Sequence, residues 1–410
     1  MTLAVEILST GDELLTGQVT DTNSVWLMDK LWDLGVLVQR KTLVGDDRTG
    51  LLAALAETTA RADVVVMSGG LGPTEDDLTA ECVAEAMGVP LEVHEPSVRA
   101  IEARFARFGR AVTPNNLEQA RFPRGATVLP NRFGTAPGFV VSLGRGEVIC
   151  LPGVPSEFKG LCDEAVLPRI SGRLEQVPSA GLVKLFGVPE SYADQQMRPV
   201  MDDPANRGVR FGYRAHWPEV HVKWIVAGAE APAHAERILK QVQAIFGEAI
   251  WGQGKDELPD LVVNRLAERG EKVAVAESCT GGLLAEQLTQ VPGASAVFDL
   301  GLVLYANEMK TRLAAVPAEI LAAHGAVSEQ VARALAQGVR STSGATWGVG
   351  ITGIAGPSGG TSEKPVGTVH LALAGPSGTQ AVQRKYFGDR DRVRRMAAFE
   401  ALYLLQLATR

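Results

Sequence analysis

Short apolar runs rich in β-branched residues alternate with stretches of helical period along about the first 170 residues. AVEIL, LVQRKTLV, DVVVMSGG and EVICLPG read as strands, and VWLMDKLWDLG, LLAALAETTARA and LTAECVAEAMG between them read as helices. Alternation of this kind predicts a parallel sheet covered by helices. The predicted strands end in glycines and carboxylates, the edge at which an open α/β sheet places its ligand.

After a break at SGRLEQVPSAG, LVKLFG, ESYADQQMRPVM, VRFGYR, VHVKWIVAG and AHAERILKQVQAIFG give the order βαββα from about Leu182 onward. This order resembles a KH-type fold, but the GxxG loop with which such domains clamp nucleic-acid phosphates is absent, and the segment reads as a spacer or lid. WGQGKDELPD reads as a linker. A third unit follows, with strands KVAVAE, FDLGLVLY, TWGVGITG and GTVHLALA and helices LLAEQLTQV, EQVARALAQGVRS and RVRRMAAFEALYLLQLA. The expected fold class is α/β: two different α/β sandwich domains, at 1–172 and 256–410, joined by a small α+β KH-like domain at 180–252.

Composition narrows the function. The 410 residues are 46% hydrophobic, enough for each unit to bury a core. A net charge of -7 offers no global field for a polyanion, which argues against nucleic acid as a partner. The start MTLAVEILSTGDELL lacks the basic and apolar regions of a signal peptide, and no run approaches the length of a membrane span, so a cytoplasmic location is expected. Cys82, Cys150, Cys162 and Cys279 form neither a CxxC pair nor a disulfide framework. His216 and His221 flank a predicted strand and, lacking a third ligand, read as a surface feature.

Two constellations carry chemistry. The first is Ser68-Gly-Gly-Leu-Gly-Pro-Thr-Glu-Asp-Asp-Leu-Thr79, between a strand and a helix. Gly69, Gly70 and Gly72 let backbone amides approach a phosphate closely. Glu75, Asp76 and Asp77 would repel that phosphate unless a divalent cation lay between them. An acidic first helical turn would explain the same acids by the macrodipole alone. Gly11-Asp-Glu-Leu-Leu-Thr-Gly17 with Asp12, Gly45-Asp46-Asp47, the turn Asn131–Gly138 and Leu151-Pro-Gly-Val-Pro-Ser-Glu157 with Gly153 add polar turns.

The second is Ser278-Cys-Thr-Gly-Gly282, with Thr280, Gly281 and Gly282, placing a serine at an expected helix N-terminus where free N–H groups stabilise an alkoxide or oxyanion. A plain N-cap serine is the competing explanation. Tyr305 and Lys310 are expected at the same sheet edge, where a neutral lysine would serve as base because no histidine is placed to help. Cys279 is a rival nucleophile, with a pKa that a helix N-terminus would lower. Thr352-Gly-Ile-Ala-Gly-Pro-Ser-Gly-Gly360, with Gly353, Gly356 and Gly359, completes this set.

GDELLTGQ, VGDD, SGGLGPTEDDLT, NRFGTAPG and LPGVPSEF resemble the molybdopterin-binding (MoaB/MogA-like) domain of the CinA family. SCTGG, YANEMK and GITGIAGPSGG resemble that family's C-terminal domain, a nicotinamide mononucleotide amidase. The resemblance implies ADP-ribose pyrophosphate hydrolysis at the front, with Asp46 and Asp77 catalytic and Asp46, Asp76 and Asp77 holding Mg, Mn or Co. At the back it implies deamidation of nicotinamide mononucleotide by Ser278 as nucleophile, Lys310 as base and Tyr305 as relay partner, without a cofactor. Gly69, Gly70, Gly72, Asp12, Asn131 and Gly153 would bind the first substrate; Thr280, Gly281, Gly282, Gly353, Gly356 and Gly359 the second. A homodimer is expected. The rival readings are a regulatory or binding protein of DNA uptake or repair, for which the basic segment at 384–395 would speak, and a molybdopterin adenylyltransferase.

Overall fold

A computed structural model describes residues 3–176 and 178–410. The chain divides into two compact units, one comprising Met1–Ala180, Gly208–Arg210 and Ile225–Arg237, the other Gly181–Arg207, Phe211–Trp224 and Ile238–Arg410. The central segment expected as a third domain is thus shared between the two.

Six strands form the sheet of the first unit, in the order Val38–Val44, Val5–Thr10, Val64–Ser68, Gly146–Leu151, Gly138–Leu143 and Thr127–Leu129. The first four pair parallel and the last two pairings are antiparallel, so the expected parallel sheet is in fact mixed. The difference arises at Gly144 and Arg145, where FVVSL turns straight back into EVICL as a hairpin and no crossover helix intervenes.

Every residue of Val5–Thr10 and Val64–Ser68 is buried, the signature of strands covered on both faces. Alternate residues feed two cores. Val5, Ile7, Val64, Val66 and Ile149 meet Leu27, Leu31, Phe158 and Ile170 on one side. Leu8, Val65, Met67, Val148 and Cys150 meet Leu51, Leu55, Val83 and Phe139 on the other. The period of two in the strands and of 3.6 in the helices aims these side chains at each other. Glu95–Arg107, polar enough to escape the apolar pattern, is a further helix.

The second unit holds two sheets. Its five-stranded sheet runs Phe298–Val303, Val273–Glu277, Trp347–Gly353, Thr368–Gly375 and Gly378–Lys385, the first three parallel and the rest antiparallel. Helix Arg390–Ala408 covers one face through Val393, Ala397, Ala401 and Leu405; helix Glu329–Ser343 covers the other through Val331, Leu335 and Val339. A side chain at Gly350 would put its Cβ 2.3 Å from the Ala332 carbonyl, so glycine there is what lets the second helix lie directly on the sheet.

The four-stranded sheet runs Arg210–His216, Glu219–Val226, Ser179–Phe186 and Ile250–Gln253. The expected βαββα order is present. Ile250–Gln253, read as linker, is a fourth strand antiparallel to Ser179–Phe186. Its glycine disguised it, while Ile250 and Trp251 are buried and the carbonyls of Ile250 and Trp251 accept from Arg410 and Gln406. The last three residues of the expected linker, Leu258 to Asp260, begin the amphipathic helix Leu258–Glu268. Among the described residues no helix is long and apolar enough to cross a membrane.

Candidate active sites

In the first unit the turns that follow Thr10, Val44, Ser68 and Leu151 enclose a cleft of about 470 Å³. Gly69, Gly70, Gly72, Asp46, Asp76, Asp77 and Gly153 line it. Asp12 and Asn131 stand behind its wall. Asp12 and Asp46 lock two turns reciprocally: Asp46 Oδ2 accepts from the Asp12 amide at 3.1 Å and Asp12 Oδ1 from the Asp46 amide at 3.1 Å. The Thr10 hydroxyl donates to Asp46 Oδ1 at 3.0 Å.

Asp77 shapes the glycine loop. Its Oδ1 accepts from the Gly72 amide at 2.7 Å, and its Oδ2 from the Thr74 amide and hydroxyl at 2.9 and 2.6 Å. A Cβ at Gly70 would sit 2.3 Å from Thr79 Oγ1, which donates to the Gly69 carbonyl, so the loop closes onto the helix Thr79–Met87. Glu75, Asp76 and Asp77 precede that helix, which corrects the macrodipole explanation of these acids. Hydrogen bonds from Thr74 and from its own amide hold Asp76 below the usual carboxylate pKa.

Asp46, Asp76 and Asp77 share the cleft, but among the described residues their carboxylate oxygens do not all come within 4.8 Å of one another. Carboxylates suit a hard divalent cation in kind. Their spread means that an ion touching them would take its remaining ligands from substrate or water.

Two residues of this cleft were missed from sequence. Burial raises the Glu157 pKa, against the opposing pull of its bond from Asn131 Nδ2 at 2.5 Å. Asn131 Oδ1 accepts from the amides of Phe133 and Gly134, so this asparagine holds both the NRFGTAPG turn and the glutamate. Asn23 is buried and donates to Ser68 Oγ at 3.1 Å and to the Gly153 carbonyl at 2.7 Å. Both motifs were visible; the pairing across them depends on tertiary closure.

In the second unit Ser278 is half-buried in a turn that follows Val273–Glu277. The helix begins only at Leu283, capped by Gly282 in a left-handed conformation, so Ser278 is not the N-cap. Nor are that helix's first amides free. The buried Glu277 carboxylate accepts from Gly282 at 3.0 Å, Leu284 at 3.1 Å and Ala285 at 2.8 Å. Glu277, read as the end of a strand, is the residue that moulds SCTGG.

Lys310 sits in the helix Asn307–Ala314, beyond the strand end that was expected to carry it. It is 1% exposed, and its Nζ donates to the Tyr305 carbonyl at 3.2 Å. Burial pushes its pKa below that of an ordinary lysine, with the neighbouring Cys279 thiol pulling weakly the other way. The parallel pairing of Glu277 with Val303 makes the SCTGG turn and the Tyr305 segment leave the same edge of the sheet. Cys279 is buried against Gly353, where a Cβ would lie 3.1 Å from its Sγ, and burial lifts the thiol to about 12. The expected lowering is therefore corrected: desolvation outweighs any nearby helix end, and the thiol is protonated at neutral pH.

Tyr305 is exposed, and its hydroxyl accepts from Arg390 Nη2 at 2.6 Å, not from Lys310. Arg390 also donates to the Gly356 carbonyl at 2.8 Å, and Arg394 to the Thr280 carbonyl at 3.2 and 2.8 Å. Among the described residues the buried Thr280 hydroxyl has no hydrogen-bond partner. Gly281 and Gly282 at φ +66° and +93°, and Gly356 and Gly359 at +84° and +90°, keep both turns in left-handed backbone. These two arginines belong to the segment 384–395. Its other cations are also engaged: Arg384 with Glu400, Lys385 over the Phe387 ring, Arg392 over the Trp217 ring and Arg395 with Asp391.

Comparison with known proteins adds the lineage. Residues 6–172 match the family described as probable molybdopterin binding domain, and residues 255–409 match the CinA C-terminal domain. A CinA-like protein of Anaeromyxobacter sp. (strain K) is 72% identical over 408 residues, covering 100% of both chains. One from Myxococcus xanthus is 45% identical over 414 residues, covering 98% of each. The chain belongs to the CinA-like family. The solved competence/damage inducible protein CihA from Agrobacterium tumefaciens is 39% identical, covering 38% of this chain and 96% of its own, with a TM-score of 0.36. Within the CinA-like framework the carboxylate cleft lies in the first matched segment, and the Ser278–Lys310 site in the second.

Proposed function

We propose that this CinA-like protein is a bifunctional hydrolase, deamidating nicotinamide mononucleotide at Ser278 and cleaving the pyrophosphate of ADP-ribose at the carboxylate cleft. The observation that carries the reading is Lys310: a buried amine with a depressed pKa, in the segment that leaves the same sheet edge as the turn holding the half-buried Ser278. A lysine is a useful base only when it can be neutral near working pH, and desolvation is the means.

In this reading Ser278 Oγ attacks the carboxamide carbon while its proton passes to Lys310 Nζ. The C–N bond then breaks, and Nζ returns that proton to the leaving nitrogen as ammonia. Water attacks the acyl ester, gives its proton through Nζ to Ser278 Oγ, and leaves nicotinate mononucleotide. The Tyr305 carbonyl aims Nζ, while Arg390 and Arg394 offer guanidinium groups to the substrate phosphate.

At the front, Asp46, Asp76 and Asp77 would hold a divalent cation jointly with the pyrophosphate oxygens. Bound there, the ion would offset the charge that develops on phosphorus oxygens. Glu157, with its raised pKa, is the group suited to exchange a proton with the attacking water.

One assay tests both halves: incubation with nicotinamide mononucleotide and with ADP-ribose, with and without chelator, and identification of the products. Nicotinate mononucleotide plus ammonia, and AMP plus ribose 5-phosphate, are expected, with chelator abolishing only the second pair. Absence of ammonia would overturn the amidase; adenylyl transfer to molybdopterin in place of ADP-ribose cleavage would reassign the front.

A further inference from the structure

The hairpin formed by Arg210–His216 and Glu219–Val226 carries a cluster that neither reaction uses. Its two-residue turn, Trp217 and Pro218, brings His216 back onto Glu219, and strand alternation puts Glu219 and His221 on one face. Glu219 Oε1 lies 2.7 Å from His221 Nε2 and 3.1 Å from His216 Nδ1. The imidazole rings stack, their centroids 5.2 Å apart. The sequence pair of histidines, read above as a surface feature without a third ligand, therefore has one.

Burial makes the cluster unusual. The Glu219 and His221 side chains are 6% and 7% exposed, and only that of His216, at 54%, reaches solvent. Among the described residues Glu219 Oε2 and His221 Nδ1 are buried with no hydrogen-bond partner. A carboxylate that has left water normally fills its acceptor positions, because unmet ones cost on the order of 1–3 kcal/mol each. One ligand atom from each of the three residues lies within 4.8 Å of the other two.

We infer that His216, Glu219 and His221 form a binding site for a divalent transition-metal ion of the zinc class. Two imidazole nitrogens and one carboxylate oxygen match Zn²⁺, Co²⁺ or Fe²⁺ and are poorly suited to Mg²⁺ or Ca²⁺, which take oxygen ligands. At ligand distances of about 2.0–2.2 Å a tetrahedral ion would hold its donor atoms roughly 3.4 Å apart. Reaching that spacing from 3.1 Å asks about 0.3 Å of His216, which its exposed ring can supply, and from 2.7 Å about 0.7 Å between Glu219 and His221. Each ring would carry its remaining proton on the other nitrogen, and the ion would replace the two contacts now made to Glu219 Oε1. Three ligands drawn from both strands make this a clip across the hairpin, with a fourth position left to water.

The test strips the full-length protein with chelator and titrates it with Zn²⁺ and, separately, Co²⁺. Wild type, His216→Ala and Glu219→Gln are compared, with circular dichroism as the check on folding. His216 is the main probe because its exposure makes truncation harmless to packing. Wild type should bind one more equivalent of zinc than His216→Ala, show a visible cobalt d–d band that His216→Ala lacks, and melt at a higher temperature with zinc than without. Any cation in the carboxylate cleft is common to all three proteins and cancels. Equal zinc stoichiometry and equal cobalt spectra in wild type and His216→Ala would overturn the site.

Discussion

The two candidate sites spend their polar groups in opposite ways. In the first unit Asp12 and Asp46 accept from backbone amides of each other's turn and Asp77 from those of its own loop, around an open cleft of about 470 Å³. In the second, the reactive groups are removed from water: Lys310 and Cys279 are buried, and only the shaping of the turn is delegated, to Glu277. On the proposed reading, the first would be an electrostatic cradle completed by a cation and a substrate, and the second a nucleophilic centre whose chemistry is set by desolvation. The same α/β scaffold supports both because each places its turns at the ends of parallel strands.

This contrast is sharpened most by removing single groups from the buried site. Ser278→Ala should lower ammonia release by roughly a thousandfold or more while nicotinamide mononucleotide still binds, since nothing else forms the acyl intermediate. Cys279→Ala should stay close to wild type, because its thiol is held protonated. Lys310→Ala should cost roughly 10²–10⁴-fold in kcat. Its signature is the pH profile. A lysine whose pKa is depressed gains its neutral form below the usual lysine range, so wild-type activity should climb with pH through that lowered value. In Lys310→Ala the climb should disappear and give way to a shallow rise at high pH, where hydroxide substitutes.

Smaller effects separate the two jobs of the carboxylates. Asp77→Asn alters a side chain that accepts three loop hydrogen bonds, so it should reduce both ADP-ribose cleavage and thermal stability. Asp76→Asn leaves those bonds in place and should raise the cation concentration needed for half-maximal cleavage, with stability unchanged. Neither should alter ammonia release. The smallest expected change is in Arg390→Ala, which should raise KM for nicotinamide mononucleotide about tenfold with kcat nearly constant, the mark of a contact made equally in ground and transition states.

What the sequence made legible were the turns. Glycine and aspartate in SGGLGPTEDD and SCTGG have few alternative uses, and the β-rich runs before them located both sheet edges. What it hid depended on tertiary closure. Glu277 looked like the polar end of a strand, and its capping of Gly282, Leu284 and Ala285 follows only once the chain reverses. Lys310 was placed at a strand end, whereas Asn307–Ala314 winds it into a helix and inward. The basic segment with Arg390 and Arg394 read as a substrate-phosphate or helix-surface feature, because charge alone does not reveal that they bond Tyr305 and Thr280. Glu219 was invisible as a ligand until the turn at Trp217 and Pro218 set it between two histidines.

The central claim is that Ser278 is the covalent nucleophile and that burial has retired its neighbour Cys279. Rapid acid quench of wild type turning over nicotinamide mononucleotide, followed by mass spectrometry of the peptide carrying both residues, tests it most directly. The account predicts the acyl group of the substrate esterified to Ser278, absent in Ser278→Ala and still present in Cys279→Ala. An adduct on Cys279, or turnover at the wild-type rate by Ser278→Ala, would contradict it.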